Sequence, residues 1–336
     1  MKLTKLERIS AAVKGEKPDR LPVSFWRHFY ERETSAEGLA EAMLDFQREF
    51  DWDFMKLNPR ACYHFQVWGA SYKFSGDPHT SPVRLDYPVK DCRDLEKLKV
   101  MPSDKGPLGE QLKAVRILRK ELPSDVMLVE TIFSPLSIAA DLSESYDIFK
   151  EYLKKYPEMV HKALKTISDT FADFASKCLA EGANGIFFAT RDWASFDMLN
   201  AEEYREFGKP YDLKVLEAAK KSKAFNLLHI CKKNNMLKDI AGYPVSVINW
   251  DTSESTNPDL AEGKKFFRGA VAGGIDHKKT LVEGSVNDVI AEAEKACTLT
   301  GAERWILGPG CSISTKTPSE NLRALRNFAN EAIDSL

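Results

Sequence analysis

Phe225-Asn226-Leu227-Leu228-His229-Ile230-Cys231 is a short, mostly apolar run that ends on two metal-binding side chains. It is too short for a stable helix and reads as a buried strand. In an extended chain residues i and i+2 point the same way, so His229 and Cys231 share one face. A second run, Trp305-Ile306-Leu307-Gly308-Pro309-Gly310, ends in the same manner on Cys311, and Ile248-Asn249-Trp250 ends on Asp251. Several apolar strands that each hand a polar residue to a common rim are what a barrel of parallel strands requires.

Working outward from residue 225, the same kind of run recurs at 21–26, 53–57, 126–132, 185–189, 245–250, 267–271 and 304–307, which makes eight. Helical spacing of apolar residues fills most of the intervals, at 109–122, 157–181, 201–221 and 286–300. Eight strands alternating with helices predict an α/β fold, a single (β/α)8 TIM barrel spanning residues 1–336. An open doubly wound sheet is the competing architecture, but no Gly-x-Gly-x-x-Gly follows the first run. An amphipathic helical pattern over 4–14 precedes the first strand and forms an N-terminal extension. The connection between the second and third runs, 59–125, is long, and its segment 69–85 predicts a short hairpin over the barrel mouth.

The chain has 336 residues, 43% hydrophobic and 29% charged, with a formal net charge of −2. That balance suits a globular domain and offers no basic excess for nucleic acid. No apolar stretch approaches the roughly 20 residues of a membrane span, and the charged N-terminus lacks an apolar signal core. Six cysteines are too few for a disulfide scaffold, so a reducing, cytoplasmic setting is expected, where cysteines serve metals or catalysis.

His229, Cys231 and Cys311 supply three ligands of a tetrahedral zinc site and leave one position open for chemistry. The bland reading of the trio is a core histidine with two inert thiols. Asp251 is a fourth ligand, a partner of His229, or a rim group without metal contact. Glu130, at the end of the third run, is a general acid or base, or else a cap or rim ion pair. Arg191 and Asp192 after the fourth run form a salt bridge or a substrate clamp. Gly273-Gly274-Ile275-Asp276 reads either as a backbone cradle for an anion or as a tight turn with Asp276 capping a helix. Trp26, Trp68, Trp193 and Trp250 could line a flat ligand, although aromatics beside strands are usually core. Arg27, His28 and Asn58 complete the polar groups at strand ends.

Four segments resemble the uroporphyrinogen decarboxylase superfamily, which includes zinc-dependent methylcobamide:thiol methyltransferases. They are Arg20-Leu21-Pro22-Val23-Ser24-Phe25-Trp26-Arg27, Ser134-Pro135-Leu136-Ser137-Ile138-Ala139, Gly273-Gly274-Ile275-Asp276, and Ile306 to Cys311 with Thr317 to Leu322. The decarboxylase branch is matched at Arg27 and in part at Asp53. It carries a further arginine where this chain has Glu31, and a histidine where this chain has Pro309. The methyltransferase branch is similar at His229, Cys231 and Cys311.

That resemblance implies zinc at those three residues. It also implies methyl transfer to or from a corrinoid (methylcobalamin or cob(I)alamin), with Glu130 and Asp251 as candidate catalytic groups. Arg27, Trp26, Arg191, Trp250, Gly273 and Asp276 are the candidate substrate contacts. No Asp-x-His-x-x-Gly corrinoid module is present in the sequence, so a partner corrinoid protein is expected to carry the cofactor. The small substrate is either a thiol acceptor such as coenzyme M or a methoxylated aromatic donor. Decarboxylation of a tetrapyrrole and a non-catalytic metal-binding barrel are the alternatives. The decarboxylase relatives also suggest a homodimer.

Overall fold

The computed structural model describes residues 2–220 and 224–332. Among the described residues there are nine strands: β1 Phe54–Leu57, β2 Tyr72–Lys73, β3 Val83–Arg84, β4 Met127–Phe133, β5 Gly185–Ala189, β6 Leu227–Ile230, β7 Val247–Trp250, β8 Ala270–Ile275 and β9 Trp305–Pro309. Seven of them form one parallel sheet in the order β1-β4-β5-β6-β7-β8-β9.

The first apolar run closes the circle between β9 and β1. Leu307 N–H donates to Pro22 O at 2.9 Å, Ser24 N–H to Leu307 O at 3.0 Å, and Asp53 N–H to Val23 O at 3.0 Å. Pro22 has no N–H to give, which keeps this eighth stave to a single ladder bridge, Val23 with Leu307. The predicted (β/α)8 barrel is the observed fold.

Alternation along the strands sorts side chains into two cores. Phe54, Val129, Phe187, Leu227, Val247, Ala272 and Ile306 fill the barrel interior, whereas Leu57, Leu128, Phe188, Leu228, Ile248 and Leu307 face the helices. The N-terminal helix Lys5–Lys14 plugs the bottom of the barrel, placing Ile9 and Val13 against the interior core. A reciprocal cap between Thr4 and Glu7 starts that helix and Gly15 ends it in the left-handed conformation. Below the plug, buried Asp53 bridges Arg8 and Arg20, each at 2.7 Å. Asp53 is therefore a structural anchor at the end of the barrel where the strands begin.

Helices Gly106–Glu121, Pro157–Ala180 and Val286–Thr300 lie close to the predicted spans. The span 201–221 breaks into Ala201–Phe207 and Lys209–Ala218 at Gly208, where an added Cβ would collide with the Tyr204 ring; Lys221 lies outside the described residues. The long connection after β1 carries the antiparallel hairpin β2/β3. His79 in its turn meets Thr315 Oγ1 at 2.9 Å, so the hairpin reaches the loop after β9.

The seventh run is displaced from its predicted position. Residues 267–269 precede the strand, and β8 continues through Gly273 and Gly274, which pair with Leu307 and Gly308. The predicted glycine-rich turn is thus strand. Its glycines are required by backbone φ of 140° and 110° and, at Gly274, by Ala296, whose Cβ would lie 2.7 Å from an added Cβ.

Candidate metal centre

His229 is the penultimate residue of β6 and faces inward, Cys231 follows the strand on the same side, and Cys311 lies just beyond β9. Their ligand atoms all fall within 4.8 Å of one another, with Cys311 Sγ 3.4 Å from His229 Nε2. A tetrahedral zinc with one nitrogen and two sulfurs needs these atoms roughly 3.5–3.8 Å apart, so side-chain rotations suffice to close the site. The two sulfurs share charge unequally. Cys311 is held well below the ordinary thiol range because the Cys231 thiol and His229 both face its sulfur, whereas Cys231 is raised.

The ring of His229 is set by a residue the sequence did not single out. Asn249 Nδ2 donates to Ala272 O at 3.0 Å and Pro309 O at 2.9 Å, which leaves Asn249 Oδ1 as an acceptor 2.6 Å from His229 Nδ1. The proton of His229 therefore sits on Nδ1, and Nε2 turns its lone pair toward the two sulfurs.

The trio forms one wall of a cavity of about 220 Å³ in the barrel mouth. Trp26, Phe133, Phe187 and Ala189 give it apolar walls, and Lys56, Asn58, His28, Thr131, Arg191 and Ser312 give it polar ones. Lys56 lies in the middle of β1 and points inward by the same alternation that places Phe54 in the interior core. Burial pushes its ammonium down to about 7, against the pull of Cys311 and Glu130. His64, also on the cavity, is pushed down to about 3 by burial. Its Nδ1 faces Ala61 O at 2.9 Å and its Nε2 accepts from Phe133 N–H at 3.0 Å, so it is a neutral framework group.

Of the expected substrate contacts, Trp26 and Arg191 line this cavity. Arg191 is clamped by Asp141 at 2.6 Å rather than by Asp192, which stands at 4.0 Å. The others lie elsewhere, mostly for reasons of parity. Arg27 follows inward-facing Trp26, so it turns outward over the rings of Phe29 and Phe46 at 5.0 and 5.2 Å. Trp250 follows Asn249 and packs in the helix-facing core, its Nε1 donating to Pro258 O. Of the other tryptophans, Trp193 and Trp68 also pack against that outer core.

Glu130 is not at a strand end. It sits within β4 on the helix side near Tyr63 and Cys178, and burial raises its carboxyl well above the usual range. A general acid for a substrate in the mouth cannot act from there. Asp251 stands apart from the metal cluster: Oδ1 accepts from Ser253 Oγ at 2.6 Å and Oδ2 lies 2.9 Å from Lys278 Nζ. Burial alone would raise its pKa, but these two partners outweigh that and hold it low.

Gly273 makes no anion cradle, because the amide of Asp276 that would serve one already donates to Glu292 Oε2 at 3.0 Å. Asp276 Oδ1 instead caps the turn at Lys278 N–H, 2.8 Å away. The cavity beside it, about 420 Å³, also contains Asp259 and Glu292, a setting hostile to anions.

The uroporphyrinogen decarboxylase (URO-D) family model matches residues 4–332. The chain belongs to that family. Within it, the chain is 30% identical to methylcobamide:CoM methyltransferase MtaA of Methanosarcina barkeri, with 95% of each chain covered. It is 25% identical to MtbA of Methanosarcina mazei over 96% of each. A uroporphyrinogen decarboxylase of Chlorobaculum tepidum is 27% identical over 75% of this chain and 73% of that one. Among solved structures, a methyltransferase from Methanosarcina mazei superposes with a TM-score of 0.86 at 25% identity, covering 99% of this chain and all of the other. Among the described residues no helix is long and apolar enough to cross a membrane.

Proposed function

We propose that the chain is a zinc-dependent methyltransferase that moves a methyl group between a corrinoid on a partner protein and a small substrate in the barrel mouth. The observation that carries this reading is the convergence of His229, Cys231 and Cys311 on a cavity wall, with space on the cavity side for a fourth group. Two thiolates and one imidazole suit zinc, which when bound supplies a Lewis acid that keeps a substrate thiol deprotonated or polarises an ether oxygen.

Asn249 holds the His229 ring in its binding tautomer, and the aromatic walls exclude water from the reacting sulfur. A cavity of about 220 Å³ admits a small molecule and not a corrin, so the corrinoid must present its methyl group at the mouth. With a thiol acceptor, the sulfur lone pair forms the new C–S bond while the Co–C pair stays on cobalt. The methyltransferase relatives, named for coenzyme M, favour that direction. Trp26, Phe133 and Phe187 favour the second substrate class, a methoxylated aromatic donor.

Tetrapyrrole decarboxylation is disfavoured by the same cavity size, by the outward turn of Arg27, and by Glu31 and Pro309 where the decarboxylase branch carries cations. A non-catalytic barrel with a structural metal would be supported by a closed four-ligand site. Here three side chains form the cluster among the described residues.

Purified protein should hold about one zinc per chain, and Cys311→Ala should lose most of it. Methylcobalamin should be demethylated in the presence of a suitable thiol, or cob(I)alamin methylated by a methoxyarene, as followed by the corrinoid spectrum. Zinc retained after all three ligands are replaced, or an unchanged spectrum with every candidate, defeats the proposal.

A further inference from the structure

His28 reaches the metal cavity by the same parity that turns Arg27 away: it stands two residues after inward-facing Trp26 and lines the cavity wall. The stave that carries it runs beside the segment that carries Cys311. Ile313 N–H donates to Trp26 O at 2.9 Å, and Arg27 bridges Ile313 in parallel. His28 therefore stands further toward solvent than Cys311 on the adjoining stave, above the ligand cluster and on the side from which a substrate enters.

A buried carboxylate orients the ring. After His28 the chain doubles back through a tight turn in which Arg32 and Glu33 N–H both donate to Phe29 O at 2.8 Å. That turn brings Glu33 Oε2 within 3.0 Å of His28 Nδ1, where it also accepts from Phe29 N–H at 3.2 Å. Tyr30 stacks flat on the ring at 5.1 Å. The Glu33 side chain is 0% exposed, its Oε1 has no hydrogen-bond partner, and among the described residues His28 is its sole ion-pair partner. The nearby Arg60 pairs with Glu110 and reaches only the backbone oxygen of Glu33. A buried carboxylate with one oxygen idle gains a charged partner only when the facing imidazole is protonated.

Glu33 lines a smaller adjoining cavity of about 160 Å³ and not the metal cavity, whereas His28 lines both. Nδ1 is thus turned to the smaller cavity, and Nε2, which makes no hydrogen bond among the described residues, to the metal cavity. Facing a carboxylate, Nδ1 keeps the proton of the neutral ring and Nε2 keeps its lone pair. The surrounding groups do not replace this pair. Arg84 from the hairpin and Arg191 from the loop after β5 both face Asp141. Burial raises Tyr30 and Tyr72 and pushes the Cys62 thiol up to about 12, so all three stay neutral. On the metal cavity itself, His64 has its Nε2 occupied. The Lys56 ammonium, which burial pushes down to about 7, is the competing proton acceptor.

We propose that His28, oriented by Glu33, is the proton acceptor for a thiol substrate in the metal cavity. The S–H bond breaks with its electron pair left on sulfur, and the proton passes to His28 Nε2, directly or through one water. The imidazolium so formed pairs with Glu33. The thiolate sulfur then forms the C–S bond to the methyl group. Glu33 is a positioning residue, which fixes the tautomer and holds the charged ring. This rests on the methyl-transfer reading for the fate of the sulfur, but the proton transfer needs only thiol and protein.

Calorimetric titration of the zinc-loaded full-length protein with coenzyme M, and in parallel with 2-mercaptoethanol, counts the protons released per thiol when repeated near neutral pH in two buffers of different ionisation enthalpy. The parent protein should release clearly less than one proton, because His28 retains part of it, and His28→Gln should release about one. Glu33→Gln should fall between the two and serves if the first variant misfolds; zinc content should stay the same in both. With methylcobalamin added, His28→Ala should slow demethylation about 10²- to 10⁴-fold, and added imidazole should restore part of the rate. Because the proton count needs no corrinoid, it upholds the acceptor even where methylcobalamin is not consumed. Equal release by the parent and His28→Gln, a change produced instead by Lys56→Met, or failure of both thiols to bind overturns the proposal.

Discussion

At the scale of single residues, the candidate metal centre turns on Asn249, a neighbour outside the His229–Cys231–Cys311 cluster that sets which nitrogen of His229 is free to bind. Asn249 is locked by two carbonyls and so can only accept from His229 Nδ1. Asn249→Leu removes the acceptor and frees the ring to rotate or change tautomer. Zinc affinity should fall about 10- to 100-fold by competition with a chromogenic chelator, the usual cost of losing such a partner; unchanged affinity would show that the ring is held by packing alone. The clustering of the three candidate ligands was legible because residue type and strand-end position coincide in the sequence. Asn249 and Lys56 were not, since each sits inside an apolar run where a polar letter looks like an interruption. Parity would have found them: counting by twos back from Cys231 and Asp251 reaches His229 and Asn249, and back from Asn58 reaches Lys56. The same count would have removed Trp250 and Arg27 from the candidate contacts.

At the scale of elements, the eight staves and most helices follow from apolar spacing, and the errors cluster where glycine alters the meaning of the pattern. Gly273 and Gly274 look like a turn in a linear sequence, yet they continue β8 because β9 supplies pairing partners along its full length. That pairing is long-range and has no local signature. The two glycines differ in what surrounds them. An added Cβ at Gly274 meets Ala296 at 2.7 Å on the helix Val286–Thr300, whereas at Gly273 its nearest neighbour is Trp250 O at 3.4 Å. Both positions carry the backbone penalty of positive φ, but only Gly274 adds a collision between strand and helix. Gly274→Ala should therefore cost about 2–4 kcal/mol in urea denaturation, and Gly273→Ala distinctly less. Equal losses would mean that strain, and not the helix contact, dictates glycine there.

At the scale of the whole molecule, the barrel separates its stability from its chemistry by putting them at opposite ends. The plug helix and the Arg8–Asp53–Arg20 cluster close the bottom. Asp53→Ala would leave both buried guanidinium groups short of their shared partner and should destabilise by about 3–5 kcal/mol, with zinc stoichiometry unchanged in the folded fraction. The pH dependence of stability has a further source among the helices. Asp212 is buried, accepts from Tyr204 and Tyr243 hydroxyls at 2.7 and 2.9 Å, and has its second oxygen unpartnered. Burial pushes its carboxyl up to about 7, the two hydroxyls opposing only part of that rise. In the unfolded chain an aspartate titrates near pH 3.9. Between about pH 4 and 7 the folded chain therefore holds a proton that the unfolded chain has released. This contribution to stability is complete below that window and is lost as pH rises through 7, with a slope of at most about 1.4 kcal/mol per pH unit. Asp212→Asn keeps an acceptor for both tyrosines and cannot ionise. Relative to the parent protein it should gain roughly 2–3 kcal/mol between pH 5 and pH 8 in urea midpoints converted to free energy. A difference between the two proteins that stays constant over that range would show that Asp212 is already ionised in the folded state and that its two tyrosines suffice to hold the charge.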